Sequence, residues 1–414
     1  MYNGVCKFQI LWLTLLIMFM ETVQPAPKDH TFSKENHTFS KEDLKEKTSY
    51  FNSDEHDLIG SSVTLPDIAG NILTLPNDVN VQFSKIVALA GDFYGVPSAP
   101  IIDPKADASN PEEIQDRRER FMAAYETLAV KTGKDVVAEV NKLVNMIDED
   151  NKARDSGGTL HTDADWDRAT GGTWAGGLPL RMGSMLSLAT KNFDHFQPQA
   201  AQAWLTGHEL AIEKAREAAK DTNQQTSLLK LMEAYAMDAF ASHFLTDIFS
   251  AGHLRTPRVA LHYQVTPSKV GDYLSKFMHD EDCKYGLRVT NKRGDKWIAY
   301  GDKYLLTAGN KKNHQFVNEA IQKSAGQVYD AFKNPSKAIN ANEVINIMPF
   351  VDASAVNNAP LFQMKDGQLL RRLDVGNLVD QKTKSNWWGI PTATLNLVQG
   401  ETRQNSALPP SSQA

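Results

Sequence analysis

One stretch, TSLLKLMEAYAMDAFASHFLTDIFS from Thr226 to Ser250, constrains the fold more than any other. Apolar and small residues would surround the helix it forms on nearly every side, and such a helix has to be sheathed by others. A mainly α-helical fold with this segment at its centre follows. The segment runs into HFLTDIFSAGH, His243 to His253. A bare carboxylate in an apolar interior is costly, and the negative end of a helix dipole makes Asp247 costlier still. His243 and Asp247 are four residues apart and share a helix face. Ala251-Gly252 then breaks the helix and lets His253 swing back toward the same space. Imidazole and carboxylate at this spacing are good zinc ligands. A structural His–Asp pair fits the spacing equally well, and His253 beside Arg255 could instead bind a carboxylate.

Other polar residues recur beside helix ends or acids. NFDHFQPQ places His195 just before a helix starting near Pro198, and FMHDEDC places His279 among Asp280, Glu281 and Asp282. DEHDLIG sets His56 between acids, and LAGDFYG puts Asp92 at another helix C-terminus. Any one of them alone reads as a solvated surface group. Together the five histidines are distributed as a multinuclear site assembled from several helices would need.

The 414 residues suffice for two or three domains, or for one large domain with extensions. The net charge of −6 argues against a general nucleic-acid binder, which shows a basic face. At the N-terminus Lys7 precedes an apolar run, Phe8–Met20, too short for a comfortable membrane span. With ETVQPAP after it, residues 1–26 read as a secretory signal cleaved near Ala26. Only Cys6 and Cys283 exist, so loss of the signal leaves one thiol and no internal disulfide. Residues 27–50 hold HTFSKE twice and read as a disordered tether, with a glycosylation sequon at Asn36. Helical periodicity dominates residues 51–332, interrupted by a hairpin turned at Asn291–Asp295. Residues 333–414 read as a β-rich extension with an Asp366-Gly367 hairpin, an aromatic strand-like stretch SNWWGIPTATLNLV and a disordered tail. Trp387 and Trp388 would pack under that sheet or meet a bilayer interface, with packing favoured.

HFLTDIFSAGH resembles the signature of zinc-dependent phospholipase C, His-Tyr-x-(Gly/Thr)-Asp-x-x-x-Pro-x-His. His243, Thr246, Asp247 and His253 match, while Phe244 replaces the tyrosine and Ala251 the proline. HFQPQAAQAWLTGHELAIEKA is similar to the family's histidine and following helix, and GDFYG and HDED resemble parts of its phosphatidylcholine-hydrolysing bacterial branch. The likeness covers about Tyr50 to Leu306. It implies that Asp247 bridges two zinc ions. His243 and His195 would hold the first with Asp92, and His253 and His279 the second with Asp280 or Asp282. The family's acid lies four residues after that histidine, where this chain has Cys283, itself a candidate soft ligand. His56 would serve a third ion, which in founding members also takes an N-terminal tryptophan that is missing from the expected mature chain here.

The chemistry so implied is phosphodiester hydrolysis, with Asp92 as base and zinc supplying an acidified water. The expectation is a secreted, monomeric phospholipase C acting at a phospholipid membrane surface on phosphatidylcholine or a related lipid, without nucleic acid as partner. Two alternatives stay open: a zinc single-strand nuclease on the same scaffold, and an inactive metal-stabilised protein that binds membranes or a partner. Lys303–Tyr304 and Leu254–Arg258 would be the basic groups that face lipid phosphates.

Overall fold

The computed structural model describes residues 53–399 and 405–409, apart from 108, 133, 176 and 177. The signal, tether and sequon expected from the sequence lie outside these residues. The helices are α1 (Ser53–Ser61), α2 (Phe83–Leu89), α3 (Pro111–Ala129), α4 (Lys134–Ser156), α5 (Asp163–Ala169), α6 (Ser184–Ala189) and α7 (Gln199–Lys220), followed by α8 (Gln224–Asp247), α9 (Ala251–Arg255), α10 (Arg258–Gln264), α11 (Ser268–Tyr285), α12 (Lys311–Lys333), α13 (Asn342–Ile345) and α14 (Gly389–Gln399). Small antiparallel sheets accompany them. Strand β1 (Ile72–Thr74) pairs with β2 (Asn80–Gln82), and β3 (Thr173–Ala175) with β4 (Leu178–Arg181). One three-stranded sheet joins β5 (Leu287–Thr290), β6 (Lys296–Ala299) and β7 (Phe350–Val351); another joins β8 (Phe362–Lys365), β9 (Gln368–Arg372) and β10 (Thr383–Lys384). The protein is mainly helical.

Local sequence chemistry sets the helix ends. Asn110 accepts from the Glu112 N–H with Pro111 in the first turn of α3, and Asn223 likewise accepts from the Thr226 N–H to open α8. From Ala234 to Asp247 every residue of α8 is buried, as its all-round apolar character requires. It packs on α7, α2 and α12. A Cβ at Gly207 of α7 would lie 2.7 Å from the Ala241 Cβ, so glycine is what lets α7 and α8 cross closely. Phe240 meets Phe121 and Tyr125 of α3 edge-on, at 5.7 and 5.9 Å. Buried Lys85 of α2 donates to Asp57 (2.8 Å) and Asp148 (2.5 Å), and Arg154 of α4 pairs with Asp54. These pairs fasten α1, which carries His56.

The Asn291–Asp295 and Asp366-Gly367 hairpins form as the sequence suggests; the latter has φ of 50° and 76°, the pair of positive values a two-residue turn needs. Three local expectations fail. The helix expected to end at Asp92 stops at Leu89, because the chain turns at Gly91 and leaves Asp92 in the turn beyond it. The strand-like stretch after Trp388 is helix α14: Thr392, Ala393 and Asn396 form its buried face, a helical spacing that a short apolar run conceals. The tail is packed over residues 405–409, where Leu408 is buried and the Tyr300 hydroxyl donates to the Pro409 carbonyl at 2.9 Å.

Residues beyond 333 pack against the helices that precede them. Leu361, Phe362 and Leu369 share a core with Leu261, Val270, Leu274 and Met278 of α10 and α11. Arg372 of β9 grips Glu281 of α11 through two 2.8 Å hydrogen bonds, both side chains fully buried. This segment therefore buttresses the helix that carries His279. Trp387 packs against Phe362 and donates to the Leu369 carbonyl at 3.0 Å, whereas Trp388 is exposed. Among the described residues no helix is long and apolar enough to cross a membrane.

Candidate metal centre

Seven side chains from across the chain converge at the C-terminal end of α8. His243 and Asp247 occupy its last turn, and His253 returns on α9 after the break at Ser250. His56 comes from α1 and His279 from α11. His195 ends a one-turn 3-10 helix before α7, and Asp92 sits in the turn after α2. That turn depends on Gly91, at φ 71°: a Cβ there would lie 2.6 Å from the His243 ring.

Asp247 lies between four imidazoles. Its Oδ2 is 3.0 Å from His195 Nδ1 and 3.6 Å from His243 Nε2; its Oδ1 is 3.3 Å from His253 Nδ1 and 3.5 Å from His56 Nε2. Three donor groups result, the first two sharing His243: Asp92, His195 and His243; His56, His243 and Asp247; and His253, His279 and Asp302. Asp302, in the loop after β6, was not apparent from sequence. Its Oδ2 is 3.3 Å from His279 Nε2, and its Oδ1 accepts from Ser250 Oγ at 2.7 Å. A faint signal existed, since both outlying acids follow a glycine, Gly91-Asp92 and Gly301-Asp302. A Cβ at Gly301 would sit 2.2 Å from Cys283 Sγ, so the close approach needs glycine there too.

Neighbouring hydrogen bonds aim the imidazoles inward. His243 Nδ1 donates to the Val87 carbonyl at 2.9 Å, leaving the Nε2 lone pair facing Asp247. Thr246 gives its hydroxyl proton to the His243 carbonyl (2.8 Å), so its oxygen accepts from His56 Nδ1 (2.7 Å), and His56 also presents Nε2 inward. His279 Nδ1 donates to Asp280 Oδ1 at 2.9 Å, and Asp280 is held in turn by Lys276.

The acids expected from HDED are therefore corrected. Asp280 lies behind His279 and orients it, because adjacent helical residues point about 100° apart. Asp282 has both oxygens engaged by Arg255, at 2.8 and 2.6 Å. Cys283 Sγ lies 3.6 Å from His279 Nε2 and 3.4 Å from Ser250 Oγ, beside the converging donors but outside their group. His56 shares a group with His243 and Asp247 instead of building a separate one. Arg258 is buried on Asp272 and Asn192, and Arg255 is spent on Asp282, so neither is a free phosphate contact.

Burial dominates the electrostatics. It pushes Asp247 up to about 6, against the opposing pull of His253 and His56, and raises Asp92 well above the carboxylate range with help from Asp247 and Asp302. Burial lowers His195 and His253 to about 4 and holds His243 well below the usual imidazole range. Asp302 departs from this pattern: burial raises it, but His279 and its hydrogen bonds outweigh burial and hold it well below the usual range. His56, His195, His243 and His253 are thus neutral and ligand-ready at pH 7, whereas at His279 burial is outweighed by Cys283, Asp302 and Asp280, which hold it well above the usual imidazole range, so that a cation there has to displace its proton. Without a cation, lone pairs and carboxylate oxygens face one another across 3 to 4 Å. Asp247 Oδ2 and His253 Nδ1 are buried and make no hydrogen bond, since these close approaches lack the alignment for one. Unsatisfied imidazole and carboxylate donors pointing at common points fit bound divalent cations. Solvent reaches the cluster on the His56 and Asp302 side, where the side chains are 15% and 29% exposed. Comparison with protein-family models, with curated proteins and with solved structures returns no match.

Proposed function

We propose that this chain is a secreted zinc-dependent phosphodiesterase of the phospholipase C type, which hydrolyses phosphatidylcholine or a related glycerophospholipid to diacylglycerol and a phosphorylated headgroup. The observation that carries this reading is Asp247, a buried carboxylate with one oxygen toward His195 and His243 and the other toward His253 and His56. One ion would be held by Asp92, His195, His243 and Asp247 Oδ2, and another by His253, His279, Asp302 and Asp247 Oδ1. His56, which shares a group with His243 and Asp247, would stand between the two sets. Nitrogen and oxygen donors of this kind suit zinc. Bound there, zinc supplies a Lewis acid for the phosphoryl oxygens and lowers the pKa of water for attack on phosphorus.

The chain's own residues do the rest. Asp92, whose Oδ1 lies 3.9 Å from His195 Nδ1, takes the proton of the attacking water once the local positive charge has ionised it. The water oxygen bonds to phosphorus as the P–O bond to glycerol breaks, and the glycerol oxygen leaves with the proton that Asp92 received. Val87, Thr246 and Asp280 keep three of the imidazoles in the tautomer this requires. Leu306, four residues beyond Asp302, is exposed apolar surface that a lipid interface would cover.

The test is phosphocholine release from phosphatidylcholine vesicles, with and without a chelator, with zinc measured on the same sample. Chelator-sensitive release with at least two zinc ions per chain supports the reading. Bound zinc without release, but with cleavage of single-stranded nucleic acid, replaces it with the nuclease; zinc with neither activity leaves a metal-stabilised binding protein.

A further inference from the structure

Asp302 stands in a loop whose backbone is held from two sides. The Gly301 N–H donates to the Cys283 carbonyl at 3.1 Å. Beyond Asp302, Lys303 has φ 74°, a left-handed conformation that an ordinary side chain adopts at a cost. What holds it is Glu55. Its Oε2 accepts from the Lys303 N–H at 3.0 Å and its Oε1 from the Leu305 N–H at 3.1 Å. Both oxygens of one carboxyl group are thereby committed to the backbone of this loop. Glu55 directly precedes His56 on α1, and Lys303 directly follows Asp302. One carboxylate thus ties the helix carrying a donor of one group to the loop carrying the acid of another.

We propose that Glu55 is a positioning residue, which through the Lys303 and Leu305 amides holds Asp302 against His279 and His253 and so sets the cation affinity of that group. The proposal rests on the metal reading of the cluster. Glu55 touches neither ion nor substrate in this account. It keeps Asp302 in place through a backbone conformation that lysine would not adopt unaided.

The experiment uses the full chain and zinc itself. Zinc retention is measured by dialysis against graded chelator for the wild type, Glu55→Gln, Lys303→Gly and the double variant. Hydrogen exchange over residues 300–306 is followed in the zinc-free proteins. Glutamine offers only one acceptor oxygen, so one of the two amides loses its partner. Glu55→Gln should weaken one ion by about 10- to 100-fold, the usual effect of removing a group that orients a ligand, while the other ion is retained. Exchange in the 300–306 segment should rise in the absence of metal. Lys303→Gly should restore part of the affinity in the Glu55→Gln background, because glycine adopts positive φ without penalty. A general structural defect would not be rescued at Lys303. Glu55→Asp, which keeps both carboxyl oxygens but shortens the reach, reads the same effect should Glu55→Gln misfold. Wild-type zinc affinity in Glu55→Gln overturns the positioning role, whatever the exchange shows. A wild-type protein that binds no zinc overturns the metal reading and the proposal with it.

Discussion

Asp247→Asn should change stability in opposite directions with and without metal. The substitution keeps the shape of the side chain and removes its charge. In the metal-free protein burial pushes Asp247 up to about 6 from the ordinary 3.8. That difference in acidity corresponds to about 3 kcal/mol, by which the ionised carboxylate destabilises the empty fold at neutral pH. The sign follows from linkage: the folded chain holds the proton more tightly, so stability falls as pH rises from about 4 to about 6 and stays lower above. Chelated Asp247→Asn should therefore be the more stable protein at pH 7, by an amount approaching about 3 kcal/mol. The advantage should vanish below about pH 4, where both forms are neutral. With metal the order inverts. Free zinc at a thousand times its dissociation constant adds about 4 kcal/mol per ion to the wild type, and the variant forfeits this where Asp247 is a shared ligand. Thermal unfolding with zinc and with chelator, at pH 7 and pH 4, reads all four values. Equal destabilisation of Asp247→Asn under both conditions would show that the carboxylate is a structural partner of the histidines, and would remove the bridging role.

Acid should weaken metal binding progressively. Zinc retention should fall below about pH 6 as Asp247 takes a proton, and more steeply near pH 4 as His195 and His253 do, which a dialysis series with zinc analysis would show. Asp302→Asn should lower zinc content while Asp282→Asn leaves it unchanged and costs stability through Arg255; zinc loss in Asp282→Asn alone would reverse that assignment. Arg372→Met should destabilise the fold by about 3–5 kcal/mol, because Glu281 is left buried and unpaired. Adding Glu281→Met should recover most of that loss in urea unfolding.

A good part of this molecule is legible in the chain. The all-round apolar character of Thr226–Ser250 announces a central helix, and α8 is buried on every side from Ala234 onward. The energetic objection to Asp247 at its C-terminus points to the cluster, and His56, Asp92, His195, His243, Asp247, His253 and His279 do converge there. All but His279, which lies in the body of α11, sit beside a helix end or a turn that sequence chemistry marks.

What the chain alone leaves open is decided by contacts between distant residues. FMHDEDC offers three acids near His279. Only packing shows that Asp282 is neutralised by Arg255, that Glu281 is claimed by Arg372, and that Asp280 lies behind the ring. The acid facing His279 comes instead from Asp302, which a hairpin and the Glu55 clamp bring back from 23 residues away. The tautomer of His56 likewise depends on Thr246, 190 residues distant in sequence. Local periodicity fixes which residues share a helix face. Which of them meets a counter-charge, and which is left facing the site, depends on the rotation and packing of whole helices, and that is settled only when the tertiary structure forms.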